Sequence, residues 1–290
     1  MFINCSTKLI SGTLLQSQWS PHLAFSVPTI LNRIDEAILP KMLPQRPEVP
    51  RQIWALWGQG VESAPPMQKT CLWSHKAANP TFTVKQLDLQ SAIDLTDVFS
   101  VIAKSSWDKM SIQAKSDVIR VLLLHKYGGV WADATLCMVD GLEHWLHMDI
   151  DFTTFIRHDP GATKSTIRPW MTSWFMVSRP GGVVITALRD AVIKFWQERG
   201  DRGPGEYFWV HRLFSNIMSS NSSAIRDAFE PRIATSADPF HCLGIDPPKL
   251  PEDLTMFKIK ACKKELRESV FQRIHDLYGD PEEASANVIK

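Results

Sequence analysis

Residues 111–138, SIQAKSDVIRVLLLHKYGGVWADATLCM, hold a helix, a forced stop and the start of a strand. Ser111 is a capping residue whose hydroxyl can accept from a first-turn N–H that has no helical partner. Ile112, Val118, Ile119, Leu122 and Leu123 recur at helical intervals and predict one buried face. His125 and Lys126 suit the negative end of the helix dipole, and Gly128-Gly129 supply the left-handed stop. Val130–Ala132 then begins a strand that delivers Asp133 near its end.

Working outward, Gln52–Trp57 (QIWALW) is a short apolar run that ends at Gly58-Gln59-Gly60, as a buried strand with a sharp turn would. Pro65-Pro66 opens a helix to about Ala78, and Thr81–Leu87 alternates like a strand. Strand, helix, strand in that order is a βαβ unit, which predicts a parallel sheet with ligands at the strands' C-terminal ends. Further strands are expected at Asp151–Ile156 and Thr172–Ser178, with helices at Val183–Arg199, Glu206–Met218 and Lys263–Leu277. Trp107–Lys109 reads as a loop between helices. Prolines 40, 44, 47 and 50 interrupt any regular hydrogen bonding before Arg51. The expected organisation is an N-terminal extension over 1–50, with a short helix at Ile30–Leu39, a catalytic-type domain over 51–262, and a C-terminal helix and tail over 263–290.

Composition removes several classes. The 290 residues are 44% hydrophobic and 22% charged, which suits one large α/β domain or two modest ones and excludes disorder as the main state. Thirty-two Lys and Arg against 31 Asp and Glu leave a net charge of +1, so no global field exists to hold nucleic acid or an anionic membrane. The most apolar stretch, Val118–Leu124, contains Arg120 and is far shorter than the roughly 20 residues a membrane span needs. The first twenty residues make a poor signal peptide. Five cysteines without CxxC spacing argue against a disulfide framework or zinc knuckle and for a reducing compartment, here the cytoplasm.

Six positions in three segments carry candidate chemistry. Asp133 and Thr135, two residues apart after a strand, can face one side and suit a hard divalent cation. Such a triplet also arises roughly once or twice by chance in a chain of this length. Asp117 and Arg120 share a helix face; they are either an exposed ion pair or the lining of a pocket that holds sugar hydroxyls and phosphate oxygens. Trp54 and Trp57, on the first strand, are either core or a stacking platform for a base. No HExxH, GxSxG, GxxxxGK[ST] or GxGxxG occurs, so zinc hydrolase, serine hydrolase, P-loop and dinucleotide readings lack their residues.

The block SDVIRVLLLHKYGGVWADAT (116–135) resembles the pattern S-D-x-x-R-x-x-x-L-x-x-x-G-G-[IV]-[WY]-x-D of the capsular polysaccharide synthesis proteins and their relatives in glycosyltransferase family 32. PRQIWALWGQG (50–60), TSWFMVSRPGG (172–182) and EYFWVHRLF (206–214) resemble that family's first strand, a later strand and the helix after it. The resemblance runs from about Pro50 to about Lys260. It implies a GT-A (Rossmann-like) fold with added helices and a hexosyl transfer from a nucleotide-sugar, a UDP-sugar ahead of a GDP-sugar, to a glycan or small-molecule hydroxyl. It also implies retention of anomeric configuration and Mn²⁺ or Mg²⁺ as cofactor. By the same resemblance Trp54, with Trp57 near it, stacks on the base, Asp117 and Arg120 hold the donor sugar, Asp133 contacts the ribose or the metal at the DxD position, and Thr135 is the second metal position. Lys258, in MFKIK, resembles a late lysine that meets the diphosphate. The common motif has a second Asp where Thr135 stands, though the capsular branch often reads D-A-T. Two other readings stay open: a non-catalytic nucleotide-sugar binding protein and a nucleotide-sugar hydrolase.

Overall fold

The computed structural model describes residues 47–157, 170–200, 202–220, 222–234, 240–241, 255–258 and 264–279. The expected helix at Ile30–Leu39 and the frayed tail lie outside them. Chain contacts divide after Arg46, and Pro47–Lys290 is one compact unit. Val49, in the proline-dense segment read as extension, is buried, and its N–H donates to the Met148 carbonyl.

The elements of this unit are β1 (Gln52–Leu56), α1 (Pro66–Ala77), β2 (Thr83–Leu87), α2 (Leu89–Thr96), α3 (Lys104–Asp108), α4 (Ile112–Tyr127), β3 (Gly129–Ala132), β4 (Leu136–Met138), β5 (Phe152–Arg157) and β6 (Trp170–Ser178). After them come α5 (Val183–Arg199), α6 (Trp209–Met218), α7 (Ser223–Ala228), β7 (Phe229–Ala234), β8 (Phe240–His241), β9 (Met256–Lys258) and α8 (Lys264–Tyr278). Most expected elements are present with shifted ends. The second strand starts at Thr83, and the helix expected from Glu206 starts at Trp209. Trp107, expected in a loop, is buried within α3.

The fold is mixed α/β. A six-stranded sheet runs in the order β2-β1-β3-β6-β5-β7, and a small sheet runs β4-β9-β8. β2, β1 and β3 are parallel, as the βαβ reading required. The expectation of a wholly parallel sheet is corrected at β6, which pairs antiparallel with both β3 and β5. Among the described residues the chain passes from β3 through β4 and β5 before β6, and neighbouring strands of this kind pair antiparallel without the crossover that a parallel pair needs.

Both sheet faces are buried, so strand residues alternate between two cores. Trp54 and Trp131 face the helical layer with Val118 and Leu122, whereas Ile53, Val130 and Ala132 face the opposite cluster with Phe175. Helix α4 packs between α2 and α5. That position explains why Val118–Leu124 is buried without a break, where a single apolar face had been expected. Ile112, expected in the core, is 40% exposed at the first turn. The helix ends as the glycines require. Gly128 and Gly129 have φ of 66° and 97°, and a Cβ on Gly129 would sit 2.5 Å from the Gln52 carbonyl oxygen. Only glycine there lets β3 lie against β1. Cys71 on α1 and Cys137 on β4 are buried free thiols with sulfurs 2.8 Å apart.

Candidate active site

The C-terminal edge of the parallel strands gathers the candidate residues. β1 delivers Trp57, β3 delivers Asp133-Ala134-Thr135, and the middle of α4 carries Asp117 and Arg120. The antiparallel neighbour β6 brings Ser173 and Trp174, and Asp133 N–H donates to the Trp174 carbonyl. β9 supplies Lys258, in register opposite Leu136.

Asp133 is the hub. Its Oδ2 lies 2.7 Å from Lys258 Nζ, and its Oδ1 accepts from Trp131 Nε1 at 2.9 Å and lies 3.4 Å from Arg120 Nη2. Lys258 Nζ also donates to Thr135 Oγ1 at 2.7 Å. The Asp133 side chain keeps 25% of its surface exposed while that of Lys258 keeps 5%. Burial works to raise the Asp133 carboxyl, but the charges of Lys258 and Arg120 and the hydrogen bonds from Lys258 and Trp131 outweigh it and hold it well below the usual carboxylate range. The carboxylate is ionised at any physiological pH.

Arg120 is committed throughout. A guanidinium has five N–H donors. Around this one stand Ser116 O (3.2 Å), Ser116 Oγ (2.9 Å), Ser173 O (2.6 Å), Asp117 Oδ1 (3.2 Å) and Asp133 Oδ1 (3.4 Å). Its plane also lies 5.0 Å from the Trp131 ring centroid. This corrects both sequence readings of Asp117 and Arg120. They are neither an exposed pair nor an open wall for a sugar, but a buried pair that orients Asp133 from below. Burial pushes the Asp117 carboxyl up to about 6, against the pull of Arg120.

The two tryptophans part company. Trp54 is 5% exposed, stands 5.6 Å from the Tyr127 ring and donates its Nε1 to the Gly128 carbonyl at 2.8 Å. The expectation that it offers a stacking face is corrected: strand alternation turns it into the helical core. Trp57, beyond the end of β1, is half-buried against Ala55, Ala64, Leu72 and Ala134, and its Nε1 has no partner among the described residues. Trp57, Asp133 and Thr135 are the partly exposed members of the group.

The metal expectation fails on its donor set. Hard divalent cations take six or more oxygens, carboxylates foremost. Here one carboxylate and one hydroxyl stand together, and the Lys258 ammonium lies 2.7 Å from both. Among the described residues no group of three or more potential ligands is present. Asp133 and Thr135 as arranged hold a lysine, and they do not fit a metal.

Sequence reasoning missed Trp131, Ser173 and His75. Trp131 was open to discovery, because two residues before Asp133 on a strand is the same face. The Ser173 carbonyl carries no side-chain signal at all. His75, on α1, donates Nε2–H to the Leu136 carbonyl at 2.7 Å, and its buried Nδ1 has no partner among the described residues. Burial lowers its pKa to about 4, so the ring is neutral beneath the site. A cavity of about 360 Å³ lies elsewhere, lined by Thr70 and Trp73 of α1 and by Phe271 and His275 of α8.

The chain belongs to the capsular polysaccharide synthesis protein family, whose model matches residues 25–261. It is 27% identical over 167 residues to the protein named glycosyltransferase afumC of Aspergillus fumigatus, an alignment that covers 51% of this chain and 39% of that one. The chain therefore spans well under half the length of this curated relative. Among solved structures, PaToxG glycosyltransferase is 13% identical with a TM-score of 0.42, covering 59% of this chain and 69% of its own. A glycosyltransferase involved in glycosylation of the major capsid of PBCV-1 is 7% identical with a TM-score of 0.42, covering 76% and 98%. Mouse xyloside xylosyltransferase 1, in its apo form, is 10% identical with a TM-score of 0.44, covering 72% and 97%.

Proposed function

We propose that this chain is a GT-A-type glycosyltransferase that moves a hexosyl group from a nucleoside diphosphate to a hydroxyl. One observation carries the reading. A partly exposed edge formed by Trp57, Asp133 and Thr135 stands over two buried cations, Lys258 and Arg120, at the strand ends where α/β sheets bind ligands. Family membership and the similarity to a protein named as a glycosyltransferase support it.

In this reading the base packs against Trp57, and the diphosphate lies near the Asp133–Thr135 turn. Asp133, oriented by Trp131 and Arg120, accepts from a donor hydroxyl. The bond from sugar C1 to the diphosphate oxygen breaks with its electron pair going to that oxygen. The acceptor oxygen bonds to C1, and its proton leaves with the diphosphate. No protein nucleophile is needed, and retention of configuration is the expected outcome. The protein supplies orientation and a fixed electrostatic field. A UDP-sugar is the first donor to try, and the acceptor is a glycan or a small-molecule hydroxyl.

Radiolabelled UDP-glucose, UDP-N-acetylglucosamine and GDP-mannose, each offered with mixed hydroxyl acceptors, test the proposal. Labelled product that disappears in Asp133→Ala is the expected result. Free sugar formed regardless of acceptor would replace transfer by hydrolysis. Binding without turnover would leave a nucleotide-sugar receptor.

A further inference from the structure

We propose that Lys258 takes the place of a divalent cation at the Asp133–Thr135 turn, so that this chain binds a diphosphate donor without metal. The inference rests on the reading of this edge as a nucleotide-sugar site, but it concerns a different question. Three observations carry it. The two oxygens that a metal would use both already face one ammonium, at 2.7 Å each. That ammonium has little freedom to leave: Lys258 is 4% exposed, its strand is paired residue by residue with β4, and the Trp174 ring centroid lies 5.8 Å from Nζ. The second carboxylate that would favour a dication over a monocation is absent, because residue 135 is threonine.

Charge balance gives the arrangement its use. A bare Asp133 at the rim would repel a diphosphate, and in metal-bound sites the dication cancels that repulsion. Here Lys258 and Arg120 cancel it from beneath the carboxylate, leaving the rim able to receive an anion. Lys258 is thus a positioning residue that acts through Asp133 and Thr135.

The test uses the full chain, with Mn²⁺ alone and with UDP as probes. Electron paramagnetic resonance should show no Mn²⁺ held by the wild-type protein, and calorimetry should give the same UDP affinity in chelator and in Mn²⁺. Lys258→Met should weaken UDP binding about tenfold in chelator and regain most of it in Mn²⁺, because the vacated oxygens then accept the ion. Lys258→Met/Thr135→Asp should hold Mn²⁺ more tightly still. Wild-type binding of Mn²⁺ that is lost in Asp133→Asn, or UDP affinity that rises tenfold with Mn²⁺, overturns the inference whatever the variants do. Failure of UDP, GDP and the sugar nucleotides to bind in either buffer defeats the glycosyltransferase reading instead, while the Mn²⁺ titration still decides the metal question.

Discussion

Asp151 and Asp133 both stand beside buried cations, and their surroundings differ in one respect that matters. Asp151 meets Arg179 with both side chains nearly sealed, at 3% and 7% exposed. Its remaining capacity goes to the Val183 and Val184 N–H groups at the start of α5, at 3.1 and 3.2 Å. Every strong acceptor there is spent on the fold. Asp133 has more cationic partners than Asp151, yet keeps 25% of its side chain open. A carboxylate that is charge-compensated and still reachable is what a binding site requires; one that is compensated and closed is a brace.

Substitution at the two positions should separate these roles most sharply. Asp151→Ala breaks a buried pair and should cost about 3–5 kcal/mol of stability, read by denaturant melts, with activity following the folded fraction. Asp133→Ala should lower transfer on the order of a hundredfold or more, and because it strands Lys258 and Arg120 it should also destabilise the fold, so the telling result is activity lost well beyond the folded fraction. Activity that only follows the folded fraction at both sites would erase the distinction.

The tryptophans of β1 extend the same contrast. Trp54→Ala empties a core position and should cost about 3–5 kcal/mol. Trp57→Ala, half-buried at the edge, should weaken nucleotide binding by about 1–3 kcal/mol by calorimetry and change stability little. If Trp54→Ala instead impairs binding in fully folded protein, its assignment to the core is wrong.

The smallest effect concerns pH. Asp117 has a carboxyl raised to about 6, so the stability it contributes is present near pH 4 and lost as pH rises through 6. His75, lowered to about 4, works in the opposite sense. Its contribution is present above about 6.5 and lost as pH falls toward 4. The two slopes offset each other over one window. Asp117→Asn should remove one of them, so that stability climbs with pH between 4 and 6.5 more steeply than in the wild type. An unchanged pH profile would refute the burial of Asp117.

Much of the fold can be read locally. Helix α4, its stop at Gly128-Gly129 and the strand before Asp133 follow from capping chemistry, helical periodicity and backbone angles that glycine alone tolerates. The βαβ start and most later elements follow from the same short-range signals. The antiparallel entry of β6 does not, because strand direction depends on where the connecting chain travels. Nor does the burial of Arg120. A helix face reads as solvated or pocket-lining by spacing, and only the neighbours Ser173, Trp131 and Asp133 convert it into a saturated guanidinium.

What the residues settle unaided is the delivery of Asp133 to the end of a strand behind a glycine-locked helix, and the presence of threonine two positions on. Whether that pair meets a metal or a lysine was open until the chain closed on itself. Lys258 lies 125 positions from Asp133, and only the pairing of β9 with β4 sets its ammonium between the two oxygens. Helices and turns are governed by interactions among near neighbours, so they are written in short stretches. The charge state of a site is governed by whichever distant groups share its low-dielectric surroundings, and these come together only in the folded chain.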